Sequence, residues 1–154
     1  MFFTLSIIFF LNLNNPAPII GFKDLEPRLQ NPNNDTLYII NFWATWCKPC
    51  VEELPYFEEI THEFKDQKIK VLLVSLDFKS KRESALIPFI NKNKIKSEVV
   101  LLYEPDANSW ISKVDSTWSG AIPATLFLKK DKRKFFGNSF EKEELFNEIK
   151  LFNN

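Results

Sequence analysis

The chain has 154 residues, of which 45% are hydrophobic and 26% charged; this fits one globular domain with a sizeable core and excludes a multidomain assembly. Twenty Lys and Arg balance twenty Asp and Glu, so there is no bulk electrostatic footprint for nucleic acid or an anionic membrane. Two Cys and one His are too few for a disulfide scaffold or a four-ligand zinc site, and three scattered Gly cannot build a flavin or nucleotide loop.

Residues 1–22 carry no charge, and Phe2 to Leu13 is apolar except for Thr4, Ser6 and Asn12. A run of about 12 residues is too short to cross a bilayer as a helix but suits the apolar region of a signal peptide. The competing reading is an apolar first strand or helix of the domain. The expected division is therefore a signal peptide or apolar segment over 1–22 and a folded domain over 23–154, in a protein that is exported, periplasmic or membrane-associated, or else cytoplasmic. Export would place the Cys pair where a disulfide can cycle.

After the turn formers Asn31 to Asp35, Leu37 to Trp43 reads as a buried strand. From Lys48 to Asp66 the apolar residues Val51, Leu54, Phe57, Ile60 and Phe64 recur at helical spacing, with Pro55 expected to kink the helix. Ile69 to Leu76 is the next strand, which completes a parallel crossover unit and sets the class as α/β. Lys79 to Lys96 reads as an amphipathic helix with a basic, solvated face. Val99 to Tyr103 is a strand, Asp106 to Val114 a short helix, and Ala124 to Leu128 a strand. Lys134 to Gly137 pairs with it as a hairpin, and a helix from Glu141 to Phe152 closes the chain. Trp43, Trp110 and Trp118 are read as core or rim aromatics, and His62 as a surface residue.

The chemistry gathers at Cys47-Lys48-Pro49-Cys50, where the first central strand meets its helix. Cys47 at the helix start meets unpaired N–H groups and the adjacent Lys48, both of which stabilise a thiolate. It is the expected nucleophile. Cys50 lies close enough on the helix to close a small disulfide ring and is the resolving thiol. Glu53 shares its helix face, and a carboxyl buried there suits the proton acceptor that Cys50 requires. Pro123, opening a strand after Ile122, stands where a cis peptide bond is tolerated and would present the Ile122 backbone to an extended substrate. Trp46, Lys48, Pro49 and Ile122 are the candidate substrate contacts.

Asn41-Phe42-Trp43-Ala44-Thr45-Trp46-Cys47-Lys48-Pro49-Cys50, followed by Glu53-Leu54-Pro55 and Ile122-Pro123-Ala124-Thr125, resembles the thioredoxin superfamily, and within it the TlpA/ResA branch of thiol-disulfide oxidoreductases. The resemblance implies a thioredoxin-like fold: a central mixed sheet of about five strands flanked by helices, with a helix and strand inserted between Leu76 and Gly120. It implies a cis Pro123 facing the disulfide, a Trp46 that shields Cys47, and Glu53 as the buried acid. It further implies a monomeric reductase of protein disulfides in cell-envelope redox homeostasis, with no cofactor beyond its own disulfide, no metal, and a membrane thiol as electron donor.

Three other readings compete. A peroxiredoxin needs a Thr three residues ahead of a lone Cys, which is absent here. A metal carrier would recruit the Cys pair with a His or Met. A non-catalytic binding domain would keep the disulfide inert.

Overall fold

A computed structural model describes residues 16–153. Regular structure is present ahead of the expected boundary at residue 23: Ile19–Ile20 form a short strand, β1, and Ala17 is buried. Edge pairing holds the strand, with the Leu101 and Tyr103 amides donating to the Pro18 and Ile20 carbonyls. The apolar run before residue 16 lies outside the described residues.

Phe22–Leu25 is a single turn, α1, that buries Phe22 and Leu25. Leu37–Trp43 is β2, Lys48–Glu63 is α2, and Ile69–Ser75 is β3. Pro55 sits inside α2, and the helix runs through it. Ile87–Lys92 is α3, Glu98–Leu102 is β4, and Ile111–Val114 is α4. Ala124–Lys129 and Lys132–Phe136 are β5 and β6, and Lys142–Asn153 is α5.

Six strands make one sheet in the order β1-β4-β3-β2-β5-β6, one more than the expected five. The added strand is β1, which is parallel to β4. β2 is central, parallel to β3 and antiparallel to β5. The insertion after Leu76 supplies α3 and β4, as expected.

The basic stretch departs from a continuous helix. Lys79–Lys81 is a 3-10 turn, Arg82–Leu86 is wound as a π-helix, and only Ile87–Lys92 is α-helical. Pro88 lies in the first turn of α3 and has no N–H to give the preceding turn, so one regular bond is missing where the π winding passes into α3. The hairpin strand begins at Lys132 rather than Lys134, because Lys130, with φ of 51°, makes a tight two-residue turn with Asp131.

Side chains of a strand alternate between faces, and this divides the core. Ile39 and Trp43 of β2 pack with Leu54, Phe57 and Ile60 of α2 and with Leu145 and Ile149 of α5. Ile40 and Phe42 face the opposite way, toward Phe22, Trp110, Val114 and Trp118. Asn41 therefore shares the α2 face, and it is one of the few buried polar residues.

Candidate active site

The carboxyl ends of β2 and β3 meet at the Cys pair. A turn closed by the Cys47 amide donating to the Ala44 carbonyl leads from β2 into α2, and Cys47 is the helix N-cap in extended conformation. Pro49 near the start of α2 costs no hydrogen bond, since the first turn has no intrahelical acceptor for its N–H. Cys47 and Cys50 are joined in a disulfide with Cα atoms 5.3 Å apart. Both are buried, Cys47 at 6% exposure and Cys50 at 0%. Lys48 points to solvent and meets Glu52 at 3.6 Å.

The loop before Cys47 is fastened by Asp77, which sequence reasoning missed. Asp77 accepts from the Thr45 hydroxyl at 2.5 Å and from the Thr45 amide at 3.1 Å. It also accepts from the Ser75 hydroxyl at 2.8 Å, and it is buried. The available signal was a Ser-x-Asp turn at the end of a strand, whose partner across the sheet edge could not be read locally.

Opposite the Cys pair, the Ile122–Pro123 peptide is cis, and the Ile122 carbonyl oxygen lies 3.8 Å from Cys47 Sγ. Trp118 braces the approach to this peptide by donating from Nε1 to the Ala121 carbonyl at 2.8 Å. Gly120 there has φ of 89°, a conformation that favours glycine. Of the candidate substrate contacts, Trp46 is 62% exposed, Lys48 and Pro49 are exposed, and Ile122 is half-buried.

Glu53, one turn beyond Cys50 on α2, is 1% exposed. Its Oε1 accepts from Asn41 Nδ2 at 3.0 Å and its Oε2 from the Phe140 amide at 2.7 Å. Burial pushes its carboxyl up to about 7, against the pull of these two bonds toward the ionised form. Asn41 Nδ2 also donates to Thr125 Oγ1 at 3.1 Å, across the β2–β5 pair in which these two residues are register partners. Phe140 contributes only its backbone, so no side-chain pattern announced it.

His62 is exposed and lies beside Glu63. No group of three or more His, Cys, Asp or Glu among the described residues could hold a metal ion. A groove of about 520 Å³ between α2 and α3, lined by Leu54, Glu58, Phe89 and Ile95 among others, includes neither cysteine.

Residues 19–133 match the AhpC/TSA family. The thiol-disulfide oxidoreductase ResA of Bacillus cereus is 28% identical over 125 residues, 79% of this chain and 66% of that protein. The chain thus spans just under two thirds of this curated relative. The crystal structure of StoA from Bacillus subtilis superposes with a TM-score of 0.54 and 26% identity, covering 74% of this chain and 82% of that one. That of a secreted thiol-disulfide isomerase from Corynebacterium glutamicum gives 0.59 and 22%, covering 74% and 68%. The sheet order, the helix placement and these superpositions make the fold thioredoxin-like, and the chain belongs to the AhpC/TSA family of thioredoxin-like proteins.

Proposed function

We propose that the protein is a thiol-disulfide oxidoreductase that reduces disulfides of protein substrates. The observation that carries this is a cysteine pair closed at a helix N-terminus, with the buried Glu53 carboxyl one turn beyond Cys50 on the same helix. In the reduced protein, the Cys47 thiolate is stabilised by the helix start. It attacks one sulfur of the substrate disulfide, forming a Cys47–substrate bond and releasing the other substrate sulfur as a thiolate. Cys50 then gives its proton to Glu53, and its sulfur attacks Cys47. The Cys47–Cys50 bond forms, the mixed disulfide breaks, and the second substrate thiolate leaves. Two electrons have passed to the substrate, and no cofactor beyond the two sulfurs is called on.

The Ile122 carbonyl beside Cys47 offers an acceptor to an extended substrate backbone, with Trp46, Lys48 and Pro49 on the open side. The apolar leader-like run in the sequence and the secreted relative of known structure support an exported, envelope location. There a monomer would draw electrons from a membrane thiol donor. No helix among the described residues is long and apolar enough to cross a membrane.

Equilibration with glutathione buffers, followed by trapping of free thiols, tests the direction. A reduction potential near or below about −250 mV is expected for a reductant. A value near about −120 mV would make the protein a disulfide donor, and a pair that never equilibrates would make it a binding domain with an inert disulfide.

A further inference from the structure

Asn41 carries an atom that the fold leaves without a partner. The residue is fully buried at 0% exposure, and its Nδ2 uses both hydrogens, on Glu53 Oε1 and on Thr125 Oγ1. Its Oδ1 has no hydrogen-bond partner. An unsatisfied buried acceptor is costly, so a reason for it is to be sought. Both oxygens of Glu53 face donors, Asn41 on one side and the Phe140 amide on the other. That arrangement suits a carboxylate and leaves a carboxylic acid nothing to donate to. The Thr125 hydroxyl can accept or donate. A half-turn of the Asn41 amide puts Oδ1 where Nδ2 stands, able to accept from a protonated Glu53 and from Thr125 together.

The geometry points to Asn41 as a positioning residue of the exchange site: its amide donates to Glu53 while that group is ionised, and turns to accept from it once it holds the Cys50 proton. This rests on the reading of Glu53 as the acceptor for Cys50. The S–H bond of Cys50 breaks, its proton goes to Oε1 of Glu53, and the sulfur keeps the electron pair for its attack on Cys47. Phe140 stays on Oε2 throughout. The two orientations are unequal, because orphaned N–H groups are tolerated less often than a lone carbonyl oxygen. The amide therefore favours the carboxylate and keeps an acceptor available that burial alone would leave protonated. No charged side chain from α2, β2, β5 or the segment before α5 takes part: burial, the Phe140 amide and Asn41 act on the carboxyl. Along α2 the titratable residues adjacent to it or one turn away are Cys50, Glu52 and Tyr56, of which Glu52 is exposed and Tyr56 half-buried.

The test is a pH titration of the reduced full chain by NMR, following the Glu53 carboxyl carbon and the Asn41 side-chain amide. The amide signals are expected to move with the Glu53 midpoint. In Glu53→Gln, whose own amide donates where the acid proton would, they should sit at the low-pH position at every pH. Asn41→Ala removes a donor to the charged form and should raise the Glu53 midpoint by about one pH unit, a tenfold change in proton concentration. Asn41→Asp, nearly the same size, should split the titration into two carboxyl midpoints. Amide signals that stay flat while Glu53 titrates, or an unchanged midpoint in Asn41→Ala, would overturn the inference. A wild type that reduces no disulfide while the amide still follows Glu53 would remove the proposed function and leave the amide coupling standing.

Discussion

The Phe140 backbone amide donates to Oε2 of Glu53 at 2.7 Å, which ties the segment entering α5 to the helix that bears the cysteines, 87 residues away in sequence. One carboxyl thus serves as a structural anchor and as the group placed to move a proton. These roles separate experimentally. Glu53→Gln keeps an acceptor for Phe140 but cannot take a proton, so release of substrate from the mixed disulfide should slow by about 100-fold or more. Rapid-quench kinetics of the resolving step check this, and an unchanged rate near neutrality would show that Cys50 loses its proton elsewhere.

Stability should carry the same signature. The folded carboxyl sits at about 7 against an ordinary 4.5, so between these values the folded state binds more protons than the unfolded state. Stability contributed by this group is greatest below about 4.5, falls as pH rises, and levels off above about 7. The fall amounts to about 3 kcal/mol. Urea unfolding of the oxidised protein should show it in the wild type relative to Glu53→Gln; parallel curves at all pH would contradict it.

Asp77→Ala strips the Thr45 amide and the Thr45 and Ser75 hydroxyls of a shared acceptor. Leaving such groups unpaired costs about 1–3 kcal/mol. The variant should unfold at lower denaturant and exchange disulfides more slowly, because the Ala44 to Cys47 turn loses its fastening to the end of β3. Full stability with full activity would show that the turn holds itself.

Cys50→Ser should accumulate a covalent adduct between Cys47 and a disulfide-bearing protein, visible as an added mass that a reductant removes. Cys47→Ser should form none. Adducts at Cys50 in the Cys47→Ser variant, at comparable speed, would reverse the two roles.

Much of this site could be read from the chain because its parts are local. Cys47 and Cys50 lie one helical turn apart, Glu53 follows on the same face, and β2 announces itself by a run of apolar residues. What could not be read depends on distant backbone. Phe140 acts through its N–H, Asp77 through Thr45 in the loop that follows β2, and Asn41 appeared as a letter in a motif until its face of β2 placed it against Glu53. The two-residue β1 was hidden for a different reason: a segment without charge reads equally as a leader, and only its pairing with β4 shows Ile19–Ile20 to be a strand. The basic stretch after β3 is wound in three successive helical forms rather than one, a change of hydrogen-bond step that the spacing of its apolar residues does not reveal.

The most direct measurement is the rate at which the reduced protein is alkylated as pH is varied. A fast reaction with an inflection below about 8.5, lost in Cys47→Ser, is the result expected for a nucleophile held at a helix start. A slow reaction with no pH dependence through neutrality would contradict it and leave the Cys pair as a structural clasp.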